Sequence, residues 1–299
     1  MAPALQTQNL TRRFGRTEAV RGLTLAIPVG SVCALIGPNG AGKTTTIRLL
    51  MNLLLPSAGR SEMLGVDSRR LTAATLARIG YVSEGQVLPE WMSLEQLCAF
   101  SAPLYPAWDT ALAAQLSRQL MVPAGVPVRA MSRGARMKAA LVLALAPRPE
   151  LLVMDEPFSG LDPLMREEVG DALRATAGSR TVLLSSHEVE EVERLADWIA
   201  VLDNGRLVFA EPLAAMQARF RDVEVAGVEA PALSSLPPSW LAVEVRPGAV
   251  RFVDSAFDAA SLGAAVERHL PGGRVTSVQP ASLRRAFLSL ARDFRSHRA

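Results

Sequence analysis

The chain has 299 residues, 49% of them hydrophobic and 20% charged, which is enough for one large domain and a smaller companion. Its net charge of +3 is too small to argue for a nucleic-acid partner, and its longest uninterrupted apolar run, residues 139–146, falls far short of the ~20 residues that cross a bilayer. No secretory signal opens the sequence, so a cytosolic location is expected; Cys33 and Cys98 read as small core residues rather than a disulfide or metal pair.

Residues 5–14 and 19–27 alternate loosely around the turn-like Gly15-Arg16 and predict two antiparallel strands. Phe14, closing the first, offers either a core side chain or a flat surface on which a base can stack. Residues 31–36 are a short apolar run ending in glycine, as a buried parallel strand would be, and residues 44–55 contain no breaker and predict a helix. Between them lies Gly37-Pro38-Asn39-Gly40-Ala41-Gly42-Lys43-Thr44-Thr45, which fits the phosphate-loop pattern G-x-x-x-x-G-K-[ST] in the context that pattern requires. ATP or GTP should sit there. The glycines let several N–H groups approach one anion, Lys43 supplies a point charge for the outer phosphates, and the Thr44 hydroxyl is placed to ligate Mg²⁺. Lys43 is one of only two lysines among 32 basic residues, so the match is hard to obtain by chance.

Residues 78–83 predict another short strand, ending in Glu84-Gly85. Val87, Leu88, Trp91 and Met92 then crowd an irregular stretch that must either pack into its own domain or line a partner's docking groove. Helices are predicted over 93–104 and 110–121, with Ser93 and Asp109 as N-caps. Met131-Ser132-Arg133-Gly134-Ala135 opens a further helix running to 146; its start reads either as an ordinary cap or as an anion-receptive terminus.

Residues 151–154 are apolar on both faces, hence a buried parallel strand, and they deliver Asp155 and Glu156 to its carboxyl end. Asp155 is positioned to hold Mg²⁺ through water, and Glu156 to take the proton of a water attacking a γ-phosphate. Ser159 to Pro163 form a turn and helix start capped by Asp162. The strand 180–186 brings His187 to the same edge, where imidazole could donate to a phosphate oxygen or orient water. A hairpin around Asn204-Gly205 closes the first domain. Beyond residue 221 the chain reads strand (249–253), helix (257–270), strand (274–278) and helix (282–294), a small α+β appendage without chemistry of its own. Arg284, Arg285, Arg292, Arg295 and Arg298 there read as a solvated helix face.

In this order the segments resemble the nucleotide-binding subunit of ATP-binding-cassette (ABC) transporters, over roughly residues 4–215. The resemblance implies an α/β P-loop NTPase core with an N-terminal antiparallel β subdomain and a helical subdomain at about residues 86–148, the whole at 4–220, followed by an accessory domain at 221–299. It makes 37–45 the Walker A loop, Asp155-Glu156 the end of Walker B with the general base, Ser159 to Asp162 the D-loop, His187 the switch histidine and Phe14 the adenine-stacking aromatic. Met131 to Ala135 fall at the LSGGQ signature, with Arg133 and Ala135 for Gly and Gln; Glu84 stands where the family usually has a metal-side Gln. The resemblance further implies ATP hydrolysis with Mg²⁺, a second cassette, identical or paralogous, whose Ser132, Gly134 and Asp162 complete each ATP site, and a separate permease, most similar to those of export systems. The permease would hold the chain at the cytoplasmic face of the membrane through a short helix seated near Leu88 to Met92. The competing expectation is a soluble or regulatory cassette not coupled to transport.

Overall fold

The computed structural model describes residues 2–177, 180–228 and 236–296; Arg298 of the terminal basic run lies outside them. The chain divides into two compact units between Ala210 and Glu211.

In the first unit, β1 (Leu5–Phe14) and β2 (Thr17–Ile27) pair antiparallel across a turn in which Gly15 has φ 57. β3 (Val32–Ile36), buried at every position, leads into α1 (Lys43–Leu50). This helix stops well before residue 55. Asn52 adopts the left-handed conformation (φ 56) and donates its N–H to Leu49 O, while Leu53 N–H reaches Arg48 O, a pattern that closes a helix end. β4 (Ala58–Met63) and β5 (Val66–Asp67) complete a four-stranded sheet ordered β2-β1-β4-β5. After α2 (Ala73–Leu76) and β6 (Ile79–Val82), the helical segment comprises α3 (Leu94–Ser101), α4 (Thr110–Gln119) and α5 (Arg133–Leu145). The expected caps are in place. Ser93 and Gln96 form a capping box, Asp109 accepts from Leu112 N–H, and Ser132 from Ala135 N–H.

β7 (Leu151–Asp155), α6 (Pro163–Ala177), β8 (Thr181–Ser186), α7 (Val189–Leu195), β9 (Trp198–Asp203) and β10 (Arg206–Pro212) come next. The second sheet is ordered β10-β9-β3-β8-β7-β6. Its strands β9, β3, β8, β7 and β6 pair in parallel, with Ile36 opposite Ser186, Asp155 opposite Ser185 and Val82 opposite Met154. That register sets the residues after β3, β6, β7 and β8 along one edge, where ligands of an open α/β sheet bind. Asn204 (φ 47) and Gly205 (φ 77) supply the turn between β9 and β10. One core holds both sheets and α1 together: Leu5, Leu23, Leu35, Ile47, Leu50, Met63 and Val153 are fully buried in it. Each such aliphatic side chain contributes about 1.5–3 kcal/mol. Since α1 begins where the phosphate loop ends, this burial also anchors the loop.

The second unit contains α8 (Leu213–Arg219), β11 (Arg221–Ala226), β12 (Trp240–Arg246), β13 (Ala249–Asp254), α9 (Leu262–His269), β14 (Arg274–Pro280) and α10 (Leu283–Ser296). Its sheet runs β12-β13-β11-β14, with Val223, Val225, Val250 and Phe252 packed beneath Leu262 and Val266. Strands β11 and β12 are not predicted from the sequence, because Asp222 and Glu224 interleave the two valines of β11 and leave only a short alternation. α8 belongs to this unit. Its Arg219 forks onto Glu211, with N···O distances of 2.6–3.1 Å, and donates to Ser255 O at 2.8 Å.

Candidate active site

The loop after β3 is shaped by backbone approaches that exclude side chains. A Cβ on Gly37 would collide with Leu202 O, and one on Gly42 (φ 100) would lie 2.5 Å from Ala19 O. Gly42 caps α1 without any side-chain hydrogen bond, so the first N–H groups of the helix face the space in front of the loop. That space is a cavity of 620 Å³ lined by Phe14, Asn39, Gly40, Ala41, Gly42, Lys43, Thr44, Thr45, Glu84, Glu156, Ser159 and His187, with Ala19 completing the wall. Phe14 is 46% exposed, which removes the core reading, and the Arg12 guanidinium lies 4.6 Å over its ring.

On the cavity wall Lys43, Glu156 and His187 form one chain, with Asp155 buried behind it. Lys43 Nζ donates to Gly37 O at 2.8 Å and sits 3.2 Å from Glu156 Oε1. Glu156 Oε2 is 2.7 Å from His187 Nδ1. Thr44 Oγ1 donates to Asp155 Oδ1 at 3.0 Å, and Ser185 Oγ to the same oxygen at 2.6 Å. Ser185 Oγ in turn accepts the Glu156 N–H at 2.9 Å. Glu156 itself is left-handed (φ 51), a conformation that a non-glycine residue keeps only where its surroundings enforce it. Among the described residues no group of three or more His, Cys, Asp or Glu side chains could hold a metal on its own. A hydroxyl and a single carboxylate, Thr44 and Asp155, do fit Mg²⁺, which binds through one or two carboxylates together with substrate phosphates.

Ser132, Gly134 and Asp162 lie outside this cavity. Ser132 caps α5, Gly134 packs against Met165 and Leu161, and Asp162 caps α6 by accepting from Met165 N–H at 2.9 Å.

The ABC transporter family model matches residues 20–159. The Nod factor export ATP-binding protein I of Ralstonia nicotianae is 34% identical over 96% of this chain and 94% of its own length. The daunorubicin resistance ATP-binding protein DrrA3 of Streptomyces coeruleorubidus is 37% identical over 69% of this chain and 67% of its own. The chain belongs to the ATP-binding subunits of ABC transporters. Among solved structures, an ATP-binding subunit of an ABC transporter aligns with a TM-score of 0.65 and 27% identity, over 72% of this chain and 92% of that one. A bacterial Atm1-family ABC exporter with ATP bound aligns with a TM-score of 0.64 and 26% identity, over 73% of this chain and 40% of that one.

The ABC subunit also carries a site residue that its sequence did not single out. Ser185 joins Asp155 to the Glu156 backbone; its only sequence signal is the Ser-Ser pair before His187. Ser159 lines the cavity beside the glutamate. Away from the site, α3 and α4 border an apolar groove of 500 Å³ lined by Leu94, Cys98, Ala99, Trp108, Ala113 and Met121, among others. Burial pushes the Cys98 thiol up to about 11, and that of fully buried Cys33 upward too, so both stay protonated. Leu88 is buried, whereas Val87 and Trp91 are 87% and 70% exposed. No helix among the described residues is long and apolar enough to cross a membrane.

Proposed function

We propose that this chain powers an export system: it binds ATP in the cavity before α1, hydrolyses it with Glu156 as general base, and drives a separate membrane-spanning permease at the cytoplasmic face. The observation that carries the hydrolytic reading is Glu156, held between Lys43 at 3.2 Å and His187 at 2.7 Å at the edge where the phosphates end. Lys43 and the N–H groups of the loop bind the β- and γ-phosphates, and Phe14 offers its ring to adenine. Glu156 takes a proton from water as the water oxygen bonds to the γ-phosphorus. The bond from that phosphorus to the β–γ bridging oxygen breaks, giving ADP and inorganic phosphate. His187 orients the attacking water and donates toward a γ-phosphate oxygen. Thr44 and Asp155 would hold Mg²⁺ together with the phosphates, where the ion would supply positive charge to offset what develops on them; Glu84, on the cavity wall, would add a carboxylate to that side.

Two partners belong to this reading. Ser132, Gly134 and Asp162 reach a nucleotide only if it is held by another cassette, so the working unit is a pair, identical or paralogous. Exposed Val87, Trp91, Phe100 and Leu104, close in sequence to the residues lining the α3/α4 groove, suit a short amphipathic helix of the permease. Residues 4–220 act as the cassette and 221–299 as its accessory domain. Support for export comes from the names of the relatives, which serve Nod factor export and daunorubicin resistance. The test is reconstitution with a candidate permease that co-purifies with the chain, in vesicles carrying the cassette on their outer face. ATP added outside should drive uptake of a cargo into the lumen, the equivalent of export, and loss of preloaded cargo from the lumen would overturn the direction.

A further inference from the structure

We propose that Arg133 is a positioning residue for hydrolysis in its own chain, carrying the position of α5 to the turn that bears Glu156; this rests on the hydrolytic reading above. Arg133 stands at the first position of α5, where the family resemblance expects glycine. Its guanidinium lies face-on against Gly160. A Cβ built there would be 2.5 Å from Nη1, 2.6 Å from Cζ and 3.0 Å from Nε, so the turn is shaped to receive the flat group, and Gly160 has φ 71 besides. Nη2 also donates a long hydrogen bond, 3.4 Å, to Ser159 Oγ.

The turn so held leads straight to the base. Ser159 N–H donates to Glu156 O at 3.1 Å, and Leu161 N–H to Phe158 O at 3.2 Å. Glu156 is left-handed, and the bonds at its own N–H and C=O, to Ser185 and Ser159, help enforce that conformation. Ser159 therefore stands between Arg133 and Glu156, and it lines the nucleotide cavity as well as a 420 Å³ cavity whose wall includes Arg133, Glu84 and Glu156.

α5 is itself fixed rigidly enough to act as a reference. Arg136 donates to Val128 O and Met131 O at 3.0 and 3.1 Å, tying the helix start to the preceding loop. Gly134 lets α5 approach Met165, and the buried Lys138 pairs with Glu168 of α6. These contacts run from 133 to 138 along one helix; Gly134 packs against Leu161, and Arg133 is the member whose guanidinium lies on Ser159 and Gly160. A displacement of α5 then moves Ser159 and Gly160, and with them the carboxylate that must sit within hydrogen-bond reach of the attacking water.

The test is a double-mutant cycle on the full chain, reading kcat and KM for ATP. Arg133→Ala should lower kcat about tenfold with KM within about twofold, the signature of a misplaced base rather than a weakened substrate site. Ser159→Ala should lower kcat by less, and the double variant should be no slower than Arg133→Ala, because both act through one turn. Arg133→Lys, which keeps charge and length but loses the flat fork, should leave kcat low. Losses that multiply in the double variant, a loss carried by KM, or parental kcat in Arg133→Lys overturns the positioning role. A parent chain without ATPase activity overturns the hydrolytic reading and this inference together.

Discussion

Lys43 and Asp155 are 6% and 2% exposed at the edge of the parallel sheet, whereas Val87 and Trp91, at the start of the helical segment, are 87% and 70% exposed. Each region places a side chain where solvation opposes it. A buried charge costs several kcal/mol unless paired, and the strand edge pairs all of its own: Lys43 with Glu156 and backbone carbonyls, Asp155 with Thr44 and Ser185. The helical segment covers Leu88 but leaves its apolar neighbours Val87 and Trp91 in water. The first region is therefore a set of charges satisfied within the chain, and the second an exposed apolar surface, the one the proposal above gives to the permease.

Breaking the first region should have the largest effect. Lys43→Ala removes the point charge on the outer phosphates and leaves Glu156 without its cation, so ATP affinity should fall by at least about a hundredfold, measured by titration with a fluorescent analogue. Ser185→Ala is subtler. It strands the Glu156 N–H and withdraws one donor from Asp155, so the chain should lose about 1–3 kcal/mol of stability in denaturant melts and about tenfold in kcat. The second region should respond in the opposite sense. Trp91→Ala should leave the stability and ATP affinity of the isolated chain within about 0.5 kcal/mol of the parent, while weakening capture by the permease by about 2 kcal/mol, read by pull-down titration. A marked fall in stability for that variant would mean that Trp91 packs within its own domain.

The two regions differed equally in how far the sequence exposed them. The phosphate loop, Asp155, Glu156 and His187 were legible because each follows a short apolar strand and carries a residue type that its chemistry demands. Parallel register then had no freedom but to bring them to one edge. The caps at Ser93, Asp109, Ser132 and Asp162 were legible for the same local reason. Ser185 was not, since a serine inside a buried strand signals nothing until its neighbours across the sheet are known. The end of α1 at Leu50 was hidden because Leu53, Leu54 and Leu55 continue the apolar character past the left-handed Asn52. β11 and β12 escaped because their alternation is short and interleaved with charge.

The most direct measurement of the central claim, that Glu156 in its cradle of Lys43, Ser185 and His187 performs the hydrolysis, is single-turnover ATP cleavage by Glu156→Gln. The amide keeps the shape and hydrogen-bonding reach of the carboxylate but cannot take the proton from water. ATP should bind with affinity near that of the parent while cleavage slows by roughly 10²- to 10⁴-fold, the scale of losing a general base. Cleavage at the parental rate with ATP bound would contradict the account.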